Sequence, residues 1–542
     1  MRPILRNKFY LYLTEFFAGM AVMAVELGAS RLLAPYFSSS QIVWTIIIGT
    51  IMIAMALGNI YGGRSADRDP NPDRLYRRIL IAAVWIALIP VLGKYVILGI
   101  SGVMIFSVNA NYLIWAAFAA CMVVFVYPLF LLGTVTPSLA KYTMENLEDN
   151  ASIIGRLGAA NTIGSIIGTF VPTFVSIPAV GTAITFLIFA GVLLILALVY
   201  FFSARVKRVS SIAAIILFLL SCVLGWRSNF AFWKSDLVYE GESIYNYLQV
   251  EETDNSIILS TNVLFGVQSV MRKDQSLTGM YYDYAMAAPF MAGIEEKSLP
   301  GENGKTEADF RILVLGMGTG TYASQCTRYY PDIRVEGVEI DEKITQLAHR
   351  YFDLPEDLPV STYDGRAWLN AADSRYDVIM VDAYQDITIP FQMSSVEFFT
   401  LVRGHLKEDG VMVVNLNMRS DTEGNINQYL ADTIASVFPE VLTVDVPYNT
   451  NRELFASCSE NLTETLMRNA DLCGDPELSG LLERIAANLV PYIGGNRIMT
   501  DDRAPVELLG MRVIDDLIHD ELSWYKALYE EDGLSGILQD IL

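Results

Sequence analysis

The stretch Arg311-Ile-Leu-Val-Leu-Gly-Met-Gly-Thr-Gly320 decides how the rest of the chain is read. Residues 312–315 form an unbroken apolar run of the kind that makes a parallel strand buried on both faces. Gly316, Gly318 and Gly320 follow at alternate positions, so that bare backbone approaches a ligand before a helix expected over about 321–330. Nineteen residues beyond Gly320 a second apolar run ends on Glu339. An acid at the tip of strand two is placed to accept both hydroxyls of a ribose. The dinucleotide form G-x-G-x-x-G is absent, because Thr321 stands where its third glycine belongs. A compact nucleoside therefore fits better than a pyrophosphate.

Outward from this loop the pattern alternates strand and helix, which argues a doubly wound, Rossmann-like sheet of the class I methyltransferase type. Further strands are expected at about 334–340, near 360, and at 376–381, 410–416, 441–446 and 453–457. Helices are expected at about 342–351, 394–406 and 426–437. Ligands of such sheets sit at the carboxyl ends of the strands, and Glu339, Asp364 and Asp382 all occupy those ends. Asp364, beside Gly365, is placed to accept from an adenine amino group. Together with Glu339 it narrows the nucleoside to an S-adenosyl compound. Asp382 leaves a buried strand into the loop DAYQDITIP, with Asp386 four residues on. Such a pair either holds an ammonium or takes its proton; the plainer alternative is a helix cap or a satisfied strand-end acid.

Before the sheet, residues 237–271 alternate apolar and polar in three short segments, which reads as a small antiparallel β domain. A helix is expected over about 279–293, carrying Tyr281, Tyr282, Asp283 and Tyr284, and a polar linker over 295–309. The expected domains are therefore 1–234, 235–295 and 296–542.

Charge separates the chain into two regions. The first 234 residues hold 17 Lys/Arg and 8 Asp/Glu, a balance of +9, and the whole chain carries −22, leaving −31 for the remainder. An acidic region is a poor partner for nucleic acid and a plausible one for a cationic substrate; the plainer alternative is solubility alone. Seven apolar stretches of spanning length occur, at about 9–33, 42–62, 78–99, 111–136, 157–178, 182–203 and 209–226. They make the first region a multi-spanning helical membrane domain. Gly164 and Gly168 supply a small-xxx-small spacing for close helix packing. Glu15, Glu26 and Arg31 in the first stretch need partners; Glu26 either holds a cation or pairs with Arg31 or another helix. Basic clusters at Arg2–Lys8, Arg64–Arg78 and Arg205–Arg208 fall on one side if the N-terminus is cytoplasmic. Seven spans then place the acidic region outside, whereas the supply of a nucleoside argues for the cytoplasm. With five scattered cysteines, no CxxC and three scattered histidines, no metal site is expected. Cys458 and Cys473 are the one pair able to bridge if that region meets an oxidising space.

Residues 237–420 resemble the spermidine synthase (polyamine aminopropyltransferase) family through ESIYNYLQVEE, LVLGMGTGT, VEID, YDGRAWL, VDAYQD, SSVEFF and KEDGVMVVN. ELGASRLLAPYFSSSQIVW and ALGNIYGGRSADR are similar to its membrane-integrated branch, in which a transporter-like region precedes the synthase domain. The segment GGRSADR also resembles the loop signature of major-facilitator transporters, and TDDRAPVE at 500–507 that branch's closing motif. The resemblance implies transfer of an aminopropyl group from decarboxylated S-adenosylmethionine to an amine such as putrescine. It implies Asp382 as catalytic carboxylate, Tyr282 as a tyrosine near the amine, Gln268 as a donor-side glutamine, and Glu339 and Asp364 as the ribose and adenine acids. The chain departs at Thr319, where the soluble enzymes carry an aspartate that grips the aminopropyl ammonium. Asp283 or Asp386 is the expected replacement. Thr319 leaves open intact S-adenosylmethionine as donor and methyl transfer as the reaction. A non-catalytic sensor or transporter of polyamine or nucleoside is the third alternative. The expected partners are a small cationic amine, a lipid bilayer and a second copy of the chain, and not nucleic acid.

Overall fold

The computed structural model describes residues 8–37, 40–108, 111–143, 150–206, 208–227, 230–261, 267–298, 309–383, 389–417, 419–420 and 422–513. The chain forms two compact units, one of residues 1–235 with 240–247, the other of 236–239 with 248–542.

The first unit is helical. Among the described residues four helical runs suffice, by length and composition, to cross a membrane: Lys8–Phe37, Gln41–Arg68, Pro72–Met104 and Ala151–Ala204. A fifth joins them if the pair Tyr112–Val124 and Val126–Thr143, bent by 51°, counts as one span. The seven apolar stretches each coincide with helix, two of them within the 54-residue run Ala151–Ala204. That run is interrupted at Gly181, whose φ of 81° and ψ of 170° are not helical. The last apolar helix, Arg208–Leu224, has 17 residues, the short end of the spanning range. The small-residue spacing does bring backbones together: a Cβ on Gly164 or Gly168 would lie 2.0 or 2.1 Å from the carbonyl oxygen of Phe16 or Met20. Glu15 is fully buried, with Oε1 accepting from Thr136 Oγ1 at 2.5 Å and Asn161 Nδ2 at 2.8 Å. Arg31 donates to the carbonyl oxygens of Ser243 and Ile244. The segment GGRSADR ends the second helix, where Asp67 pairs with Lys141 at 2.8 Å. Residues 240–247 belong here because Glu240 accepts from the amides of Phe230 and Ala231, and Glu242 from Thr182.

A four-stranded antiparallel sheet follows: β1 (Leu237–Glu242), β2 (Tyr247–Glu252), β3 (Ser256–Ser260) and β4 (Val267–Arg272), in that order. Leu248, Val250, Ile257 and Leu259 pack its apolar face on Ile344, Leu347 and Phe352. The helix expected over 279–293 is instead two single turns, Tyr281–Ala285 and Ala287–Met291. Pro289 has no amide to continue the ladder across the junction.

The large sheet comprises β5 (Arg311–Leu315), β6 (Arg334–Glu339), β7 (Val360–Thr362), β8 (Tyr376–Val381), β9 (Leu406–Leu416), β10 (Glu440–Asp445), β11 (Arg452–Ser457) and β12 (Val490–Pro491). Its order is β12-β10-β11-β9-β8-β5-β6-β7. The five strands from β7 to β9 are parallel, and β11 and β10 run antiparallel at the far side. Strand order reverses between β5 and β8, which creates the crevice where such folds bind ligands. Every residue of β8 is buried; its one acid, Asp377, is paired with Lys297 and Lys407. Two helices absent from the expectation, Leu462–Leu472 and Pro476–Asn488, pack Leu466, Leu478, Leu482 and Ile485 into the core on one face.

Cys458 and Cys473 are both free thiols, so the bridge kept open from their spacing is not formed.

Candidate active site

The crevice is built first by backbone. Gly316, Gly318 and Gly320 have φ of +85°, +55° and +81°, values that L side chains rarely adopt. At Gly316 space forbids a side chain as well: a Cβ would lie 2.6 Å from the backbone of Asp382 and Ala383. The glycine loop and the end of β8 are therefore pressed together.

Glu339, at the end of β6, is buried and spans the loop. Its Oε2 accepts from the Gly318 amide at 2.9 Å and its Oε1 from the Asp341 amide at 3.0 Å. A carboxylate has about four acceptor positions, so two are left for a diol. Burial pushes Glu339 up to about 7, against the lowering effect of those amides. Asp364 caps the helix Gly365–Ala371 through the Ala367 amide at 2.8 Å, and Gly365 after it lies beside the Leu315 side chain at the end of β5.

Asp382 is gripped on both oxygens. Tyr281 donates to Oδ2 at 2.6 Å, and Asn415, from β9, donates to Oδ1 at 3.2 Å. Asn451 in turn donates to Asn415 Oδ1 at 2.8 Å and fixes its amide. Burial pushes Asp382 up to about 7; the two hydrogen bonds oppose this, and the charge of Glu339 adds to it. Tyr281 is raised well above its ordinary value by burial and by Asp382, so it stays a donor.

Other expected site residues fall elsewhere. Tyr282, expected at the amine, donates to the backbone oxygen of Gln268 at 2.6 Å and so ties β4 to the site; the tyrosine on Asp382 is its neighbour Tyr281. Their ring centroids are 3.9 Å apart, so a one-residue offset on a short helix exchanges the two hydroxyls. Asp283 does not replace the missing loop acid. Its carboxylate already accepts from the Thr278 amide and hydroxyl, the Gly279 amide and Gln325 Nε2. It organises the 278–283 turn instead. Thr319 is buried, with its amide 3.3 Å from Ser269 Oγ and its hydroxyl 3.5 Å from that of Thr321. Asp386 lies outside the described residues. Among the described residues no cluster of three His, Cys, Asp or Glu is arranged to hold a metal.

The two residues bonded to Asp382, Tyr281 and Asn415, escaped the sequence reading. So did Glu453, a buried acid of β11 that feels the charge of Asp382. The closing motif is tied in by Asp501, which takes Arg366 bidentately at 2.7 Å on each oxygen and Ser395 Oγ at 2.6 Å.

A glycine loop and strand-end acids at the switch point of a doubly wound sheet form the arrangement of a nucleoside-binding fold. Residues 302–468 match the spermine/spermidine synthase domain. The chain is 50% identical over 364 residues to a probable polyamine aminopropyl transferase of Bifidobacterium longum, covering 64% of this chain and 78% of that protein. It is 27% identical over 314 residues to a polyamine aminopropyltransferase of Vibrio vulnificus, covering 54% and 98%. A probable spermidine synthase structure from Corynebacterium glutamicum aligns at 21% identity with a TM-score of 0.34, covering 48% of this chain and 96% of that one. The chain belongs to the spermidine synthase, or polyamine aminopropyltransferase, family.

Proposed function

We propose that this chain moves an aminopropyl group from decarboxylated S-adenosylmethionine to a small polyamine of the putrescine class. The observation that carries the reading is Asp382, held at the carboxyl end of β8 by Tyr281 and Asn415, directly against the glycine loop.

The residues fit an S-adenosyl donor. The glycine turn ends directly against the β8 end that carries Asp382, and Glu339 keeps acceptor positions for a diol. The donor's sulfonium makes the adjoining methylene electrophilic. A neutral amine attacks that carbon; the new N–C bond forms as the C–S bond breaks, and the bonding pair leaves on sulfur as a thioether. The nitrogen, now positively charged, passes a proton to ionised Asp382. Tyr281 and Asn415 hold the carboxylate in one orientation, so much of the rate comes from positioning and proton acceptance. With its pKa near 7, Asp382 is a base poised close to neutral pH.

The helical unit is the membrane anchor in this reading, multi-pass, with the catalytic region on the cytoplasmic side where the nucleoside is made. Large apolar residues stand exposed along its helices, among them Ile53, Phe170, Phe174, Ile195 and Val223. Surfaces of that kind need an apolar surrounding.

The test is an assay of the full-length protein with putrescine and either decarboxylated or intact S-adenosylmethionine, reading products by mass. Aminopropylated product that disappears in Asp382→Asn supports the reading. Methylated product, or binding without turnover, overturns it.

A further inference from the structure

We propose that Glu453 selects the acceptor, holding a second cationic group of the substrate while the amine that attacks faces Asp382. This deepens the aminopropyl-transfer reading and rests on it.

The placement follows from strand register. Val381 of β8 lies level with Val414 of β9, so Asp382 is level with Asn415. Asn415 in turn lies directly opposite Glu453 of β11. Asp382, Asn415 and Glu453 therefore form one row across three adjacent strands. Asn415 reaches Asp382 with its side chain, and residues directly opposite in an antiparallel pair point to the same face. Two residues down the strands, Val413 and Phe455 belong to the core cluster that includes Tyr281, Tyr282 and Tyr322. Glu453 thus stands on the face of the sheet from which Tyr281 reaches Asp382. Two inter-strand steps separate the outer members of the row by about 10 Å at their Cα atoms. Side chains leaning along the row span the length of a short diamine.

Glu453 is fully buried, and neither of its oxygens has a hydrogen-bond partner among the described residues. A core acid of that kind is costly unless something meets it. Tyr322, which feels the charge of Glu453, buries its hydroxyl beside the Cys326 thiol. Asp382 and Asn415, by contrast, are satisfied by one another and by Tyr281 and Asn451. What is missing at the Glu453 end of the row is a donor, and a primary ammonium brings three with a positive charge. Burial and the neighbouring charge of Asp382 both push Glu453 well above the usual carboxylate range, so without that cation it stays neutral. A monoamine satisfies only Asp382. A diamine satisfies both ends.

The experiment compares 1,4-diaminobutane with n-butylamine as acceptors for the full-length protein, using decarboxylated S-adenosylmethionine. Wild type is expected to favour the diamine by at least about 50-fold in kcat/KM, the value of one charge-assisted hydrogen-bonded contact. Glu453→Gln is expected to lose about 20-fold or more on the diamine, mainly in KM, and to leave butylamine within about twofold. Glu453→Asp is expected to recover part of the preference. An equal loss on both amines, or none on either, overturns the proposal. So does a wild type that uses both amines equally, a result that needs no variant to fold. Failure of the underlying reading looks different: wild type then makes no aminopropylated product from either amine.

Discussion

Asp382 carries two opposite pH dependences. Its pKa of about 7 in the folded chain lies above the ordinary carboxylate value, so the folded state binds a proton that the unfolded state has released between roughly pH 4 and 7. That contribution to stability is fully present below pH 4 and is lost as pH rises through 7; Glu339, also near 7, acts in the same direction. Thermal unfolding of the ligand-free protein is therefore expected to fall between pH 5 and 8, and less so in Asp382→Asn. Catalysis runs the other way, because only the ionised carboxylate accepts a proton: kcat/KM should rise through about pH 7. Tyr281→Phe removes a hydrogen bond that holds Asp382 down, so the rising limb should move to higher pH, with a loss of about 5- to 50-fold in kcat. Sequence alone made Asp382 legible, since an acid ending an apolar strand has few other uses. It singled out Tyr282 and not Tyr281, because the two are adjacent on one short turn and only the turn's orientation decides which hydroxyl bonds the acid. Asn415 and Glu453 were hidden for another reason: they become partners only through register between strands far apart in sequence.

The elements around the site show which parts of a fold local pattern determines. Parallel strand β5 was legible because burial on both faces forces a continuous apolar run, β6 and β8 because apolar residues dominate them, and the turn after β5 because only glycine tolerates its φ values. The prediction at that turn is sharp. Gly316→Ala must adopt φ near +85° with its Cβ 2.6 Å from backbone, a cost of about 1–3 kcal/mol or more that should appear as a lowered Tm and as lost nucleoside affinity in calorimetry. Elements set by tertiary context were not legible. The turns at 281–291 form around Asp283, whose four hydrogen bonds come from Thr278, Gly279 and Gln325 and not from a helical ladder. The closing segment is likewise defined by a distant partner, Arg366. A double-mutant cycle on Arg366→Ala and Asp501→Ala should give a coupling of about 0.5–1 kcal/mol in chemical denaturation, modest despite bidentate geometry because Asp501 is 39% exposed.

At the scale of the molecule the two regions differ in what their surfaces require. The second unit encloses its apolar residues in a continuous core, whereas the first leaves large apolar side chains outward along its helices. Inside that first unit cohesion rests on backbone contact between Lys8–Phe37 and Asn150–Val171, because helices with apolar surroundings gain little from burying further apolar surface against each other. The small-residue spacing was legible for that reason; the 51° bend between Tyr112–Val124 and Val126–Thr143 was not, since hydropathy marks apolar length and not conformation. Two measurements follow. The full-length protein should stay with the membrane fraction after an alkaline carbonate wash; release into the supernatant would remove the anchoring role. Gly164→Leu places a side chain where a Cβ already lies 2.0 Å from the Phe16 carbonyl oxygen, so the helices must separate. Overpacking of this kind costs about 1–3 kcal/mol or more, and should appear as a lower Tm of the detergent-solubilised protein. Gly158 sits on the same helix, and a Cβ there would meet nothing within 4 Å. Gly158→Leu should therefore leave the Tm unchanged, which separates packing from mere helix propensity. Equal losses in the two variants would mean that the close approach of these helices does not hold the unit together.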